Sequence, residues 1–129
     1  MVQSALVDYR RVSREALPSG CGDAGRPDLP FANAPLRAPG VRPVSCWRTT
    51  LQGEAVSAWA YRSGNRIVVA YVVPEALFFR QPQVRDAVAR DGRYTTSAGE
   101  ASVVAWPAER NGVVVVGDVP VSELEGFHL

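Results

Sequence analysis

The sequence predicts an α+β fold: a single antiparallel sheet of about five to six strands, a meander followed by a hairpin, packed by one main amphipathic helix. A further helix is expected at the N-terminus and a short one at the C-terminus. Three observations carry this. The stretch Arg66–Pro74 (RIVVAYVVP) has apolar residues in both alternation classes, as a central strand buried on both faces requires. The turn signals Gln52-Gly53 and Ser63-Gly64-Asn65 separate the runs before it by gaps so short that only an antiparallel return fits. Asn111-Gly112 marks a second hairpin among the valines further on.

Taken in order, Ser4 to Leu17 repeats Leu6, Tyr9, Val12 and Ala16 near helical spacing, and Pro18 ends the pattern. Arg10, Arg11 and Arg14 fall on this helix beside Asp8 and Glu15, a mix that reads better as a solvated face than as a polyanion contact. Residues 18–43 hold six of the ten prolines and little periodic apolar pattern, so they read as a linker or wrapping segment with Leu29, Phe31 and Leu36 as isolated anchors. The regular part, 44–129, opens with strands at Val44–Leu51 and Glu54–Arg62 and continues into Arg66–Pro74. The main helix follows. Val84, Ala87 and Val88 form its apolar stripe, Pro82 suits its first turn and Gly92 its C-terminal cap, and it is expected to cover the Arg66–Pro74 strand.

Between strand and helix stand Leu77, Phe78 and Phe79, the bulkiest apolar cluster of the chain. They could line a ligand or partner surface; filling the space between helix and sheet is the stronger reading. A short strand at Arg93–Thr96 precedes the hairpin of Ala101–Trp106 and Val113–Gly117, and Ser122 with Glu125 forms a capping box for a last helix that turns Leu124 and Phe127 inward. If Val113–Val116 lies at a sheet edge, it is the place where two copies would pair.

Composition excludes more function than it suggests. With 129 residues the chain suits one domain, one that buries roughly two-thirds of its unfolded surface. A net charge of +1 gives no general field for nucleic acid or an anionic membrane. All 14 basic residues are Arg, which removes Schiff-base lysines, P-loop lysines and lysine bases. The one histidine, His128, is next to the last residue, where it is poorly placed to orient a nucleophile or bind a metal. No phosphate-cradling loop, nucleophile elbow or zinc-ligand spacing occurs, so no catalytic, metal or cofactor residue is assigned and the chain is read as no enzyme. Trp47-Arg48 and Tyr61-Arg62 place aromatic and cation on opposite faces of a strand, which argues against nucleic-acid stacking. Cys21 and Cys46 are too few for a disulfide scaffold but could pair in an oxidising compartment. No window reaches the ~18 apolar residues of a membrane span, so any anchor is expected outside this stretch.

The order of motifs adds one resemblance. Val103, Val104 and Trp106, the turn glycine Gly112, the run Val114 to Pro120 (VVVGDVP) and Glu123-Leu124 resemble the tail of the extracytoplasmic domain of membrane-bound anti-sigma factors. Asn65 to Val72 corresponds loosely to a further strand of that family, and the likeness spans roughly Leu36 to Phe127. The family's transmembrane helix and its cytoplasmic, sigma-binding zinc domain are not in this sequence. The resemblance implies a non-catalytic regulatory sensor outside the cytoplasm, with the N-terminal helix on its membrane-proximal side. It implies a protein partner, and a sigma factor only through a cytoplasmic domain. The alternative is a soluble cytoplasmic α+β domain for a small apolar ligand or a protein partner.

Overall fold

The computed structural model describes residues 1–14, 42–63, 66–108 and 111–124. Six strands form one fully antiparallel sheet: β1 (Arg42–Leu51), β2 (Glu54–Ser63), β3 (Arg66–Pro74), β4 (Tyr94–Ala98), β5 (Ala101–Ala108) and β6 (Asn111–Gly117). Their order across the sheet is β1-β2-β3-β6-β5-β4. The sheet is thus two three-stranded meanders, joined where β3 pairs antiparallel with β6, Val69 opposite Val116 and Val72 opposite Val113. The helices are α1 (Val2–Arg14), α2 (Glu75–Phe78), α3 (Pro82–Asp91) and α4 (Val121–Leu124).

Local chemistry explains most boundaries. The β1–β2 turn puts Gln52 at φ 50° and Gly53 at φ 81°, the paired positive values of a two-residue hairpin turn whose twist matches that of the strands. Helix α3 starts with Pro82 in its first turn and stops at Gly92, whose φ of 80° is the left-handed cap conformation, with its N–H donating to the Val88 carbonyl. Both strands at the seam are buried on both faces: Val68 to Val73 and Gly112 to Gly117 are all sealed from solvent. The expectation of a central strand at Arg66–Pro74 therefore holds.

Two expectations about the second hairpin need correction. Val113–Val116 is no edge, because β6 lies between β3 and β5; the sheet's edges are β1 and β4. Asn111-Gly112 is no turn, because Asn111 pairs with Ala108 and Gly112 with Pro107, so the hairpin runs two pairs longer than the turn signal suggested. The glycine serves packing instead. A Cβ on Gly112 would collide with Cδ1 of Phe78, so the bare backbone there is what lets that ring approach the strand.

One face of the sheet carries Trp47, Leu51, Val69, Tyr71, Val73, Val103, Val114 and Val116, and packs against α1, α2 and α3. The other carries Trp59, Tyr61, Val68, Val72, Val104, Val113 and Val115, with Val119 and Leu124 of the α4 end against it. The helix over the seam is α1, which touches β1, β3 and β6, whereas α3 lies over β4 and β5. The main amphipathic helix therefore does not cover Arg66–Pro74 as expected. The reason lies in the connection: α2 and α3 carry the chain from the central β3 to the far edge strand β4, and that route leaves the middle of the face to α1. With Met1, Val2, Ala5, Leu6, Tyr9 and Val12 buried, α1 belongs to the same core as the strands of 44–129. The expectations placed on residues 15–41, on the Ser63-Gly64-Asn65 turn beyond Ser63, and on Glu125 and Phe127 lie outside the described residues.

Candidate functional site

The feature of α1 that periodicity does not explain is Asp8. It sits at the flank of the buried stripe with 6% of its surface exposed, a position carboxylates occupy only when well partnered. Its partners come from three elements. Oδ1 accepts from Arg11 Nη2 at 2.8 Å and from Thr49 Oγ1 at 3.0 Å. Oδ2 accepts from the Tyr71 hydroxyl at 2.7 Å and from Trp47 Nε1 at 3.4 Å. Trp47 and Thr49 are two apart on β1 and so share a face, and Tyr71 of β3 reaches the same spot across the small residues Ala58 and Ala60 of β2. One carboxylate thereby ties α1 to an edge strand and to the centre of the sheet. The Tyr9 hydroxyl adds a bond to the Ile67 carbonyl at 3.2 Å.

The electrostatics follow from this cage. Burial pushes the Asp8 carboxyl up, but the hydrogen bonds from Arg11, Tyr71 and Thr49 and the Arg11 charge outweigh it, and the net result lies below the ordinary carboxylate range. Tyr71 moves the opposite way: burial, then the Asp8 charge and the bond it gives to that carboxylate, drive its phenol far above the ordinary value. The pair is a fixed anion and a fixed neutral donor. A group whose folded pKa is depressed stabilises the fold above its unfolded pKa and loses that contribution as pH falls. We therefore expect an acid limb in which stability drops as pH falls below about 4, recorded by urea midpoints from pH 6 to 3. Asp8→Asn should flatten that limb; an unchanged limb would assign it to other carboxylates.

With four donors on two oxygens, the Asp8 carboxylate has no lone pair to spare for a substrate proton or a metal. Its chemistry is attachment. Above it lies an open cleft of about 350 Å³ lined by Gln3, Ser4, Val7, Asp8, Arg11 and Thr50, and Val7 at its rim is 65% exposed. A second cleft of about 370 Å³ separates α3 from β4 and is lined by charges of both signs, Asp86, Arg90, Asp91 and Arg93 among them. Among the described residues no group of three or more His, Cys, Asp and Glu is placed to hold a metal, and no helix is long and apolar enough to cross a membrane.

The residues singled out from sequence lie elsewhere. Leu77 and Phe78 are 1% and 0% exposed and fill the junction of α2 with β3 and β6; Phe79 is half-buried beside them, its ring edge-on to Phe78 at 5.0 Å. They stand in the core and not around either cleft. Cys46 is disulfide-bonded, and its side chain belongs to the face opposite α1. Cys21 lies outside the described residues. Asp8 escaped sequence reading because its partners are 39, 41 and 63 residues away, and the local pattern showed only an acid among arginines.

No family model matches the chain, and no curated protein matches it. Solved structures do resemble it. A chain in the crystal structure of MucB in complex with MucA(peri) superposes with a TM-score of 0.50 at 17% identity, over 74% of this chain and 36% of that one. A chain in the complex structure of Pseudomonas aeruginosa MucA/MucB gives a TM-score of 0.49 at 17% identity, over 74% and 35%. This chain spans about a third of the length of those it matches, and at such identity the likeness is one of fold.

Proposed function

We propose that this chain is a non-catalytic regulatory domain that works outside the cytoplasm, receives an envelope signal and passes it, through a protein partner, to the control of a sigma factor. The observation that supports the reading is the fold likeness to a chain in the crystal structure of MucB in complex with MucA(peri). The motif order from Val103 to Leu124, which resembles the tail of the extracytoplasmic domain of anti-sigma factors, supports it from sequence. The disulfide at Cys46 supports an oxidising compartment, and Cys21, the other cysteine of the chain, is its proposed partner.

In this reading the chain performs no chemistry of its own. Its polar cluster at Asp8 has every lone pair engaged, which suits a joint better than an acid or base. The N-terminal helix is the membrane-proximal element, and any anchor and the sigma-binding part lie outside the 129 residues. A small apolar ligand between Phe78, Phe79 and the sheet is the weaker reading, because Phe78 has no exposed surface to offer.

The test is genetic. Deleting the reading frame in its own bacterium should change the basal transcription of one sigma-dependent set of genes severalfold, with complementation restoring it. Unchanged sigma-dependent transcription, with and without envelope stress, would overturn the proposal.

A further inference from the structure

We infer that the β4 edge is a self-pairing surface: two copies of this chain join β4 to β4 antiparallel, about a two-fold axis at Thr96, into one continuous sheet. Of the sheet's two edges, β1 carries the features that keep an edge from pairing: Pro43, a register shift beside it, and Arg48. The other edge carries none of them. Tyr94 to Ala98 of β4 hold no charge and no proline, and they pair with β5 without a register shift. Among the described residues no strand lies beyond β4, so the outer side of its backbone is a template for a further strand.

What selects a second copy as the occupant is the self-complementarity of β4. With Thr96 on the axis, Thr96 faces its own copy, Tyr94 faces Ala98 and Thr95 faces Ser97. Tyr94 and Ala98 are half-buried against the helix-side core, so the ring of one copy lies over the small residue of the other and the core runs on across the junction. Thr95 and Ser97 are exposed on the opposite face, where cross-strand hydroxyl pairs are favourable. Arg93 precedes the strand and Glu100 follows it, so antiparallel apposition also sets unlike ends side by side. Helix α3 fits the same arrangement. It lies over β4 and β5, and with strands ~4.8 Å apart an axis between β4 and its copy puts the two α3 axes roughly 10 Å apart, the distance at which helices pack. The axis makes them antiparallel, so Asp86 followed by Arg90 on one helix runs against Arg90 followed by Asp86 on the other. Both residues line the cleft between α3 and β4, which thereby becomes part of the interface. The two α1 helices end on the same face of the joined sheet, where a protein partner meets them as a pair.

Sedimentation velocity on the full chain across roughly 1 to 500 µM tests it. The wild type is expected to pass from monomer to dimer within that range, as an interface at the small end of specific ones should. Thr95→Glu with Ser97→Glu sets like charges opposite each other twice and should weaken dimerisation at least tenfold. Thr95→Arg with Ser97→Glu puts the same number of charges at the same exposed positions but opposes unlike signs, and it should dimerise at least as well as the wild type. Urea midpoints check that both variants keep the fold. A chain that stays monomeric throughout overturns the inference, and so does a dimer that the two variants affect alike. These measurements contain no sigma factor, so the self-pairing can fail while the regulatory reading stands, and the genetic test can fail while the self-pairing stands.

Discussion

Replacing Asp8 by alanine is expected to lower the unfolding free energy by about 3 kcal/mol, a severe loss for one residue at the flank of the buried stripe of α1. The reason is what remains after the carboxylate is gone. The Tyr71 hydroxyl is completely buried and the Trp47 indole nearly so, and each becomes a donor with no acceptor, at about 1–3 kcal/mol apiece. Thr49 and the half-exposed Arg11 can turn to water at little cost. The loss is therefore set by the two aromatic donors and only slightly by the surface-facing ion pair. Tyr71→Phe alone should cost about 1 kcal/mol, since the carboxylate keeps three donors. In the double variant Asp8→Ala with Tyr71→Phe, one orphaned donor has been removed, so the combined cost should fall short of the sum by about 1 kcal/mol. Urea denaturation of the four proteins at pH 7 decides it. Additive losses would show that Tyr71 does not depend on Asp8 for its partner.

How much of this was legible in sequence follows from the range of each interaction. The hairpin turn at Gln52-Gly53, the Pro82 start and the Gly92 stop of α3, and the two-faced apolar run of β3 are decided by residues within a few positions of one another, and they were read correctly. Strand order was not local. The valine run of β6 has the same composition wherever it sits, and only its pairing with β3, some 45 residues back, makes it central instead of an edge. The candidate site was the least legible part. Asp8, Trp47, Thr49 and Tyr71 each look ordinary where they stand in the chain, and only the packing of α1 across β1 and β3 brings them together. The cluster that drew the eye, Leu77 to Phe79, did so because of bulk, and bulk in a chain of this size is mostly used for filling.

Gly112 shows the same lesson in reverse, for a residue whose local meaning was plain and whose real use is tertiary. Next to asparagine it reads as a turn, yet it is a strand residue opposite Val73 on one side and Pro107 on the other. An alanine methyl there would stand 2.1, 2.3 and 2.7 Å from Cδ1, Cγ and Cβ of Phe78. The ring has nowhere to go: Phe78 is fully buried in the core cluster and meets Phe79 edge-on. Gly112→Ala should therefore cost about 3 kcal/mol, the upper range for overpacking, even though alanine suits a strand as well as glycine does. Contrast Gly117, where a Cβ would meet Val68 Cγ2 at 2.9 Å and Leu124 Cδ2 at 3.3 Å, the far ends of side chains and not the root of a ring. The decisive experiment is a second-site change. Phe78→Ala removes Cγ and Cδ1, the two atoms nearest the new methyl, at a cost of its own of about 3–5 kcal/mol, and combined with Gly112→Ala it should recover at least 1 kcal/mol relative to the sum of the two single losses. If the two losses simply add, the ring is not what excludes a side chain at position 112, and the strain must lie in the β6 backbone.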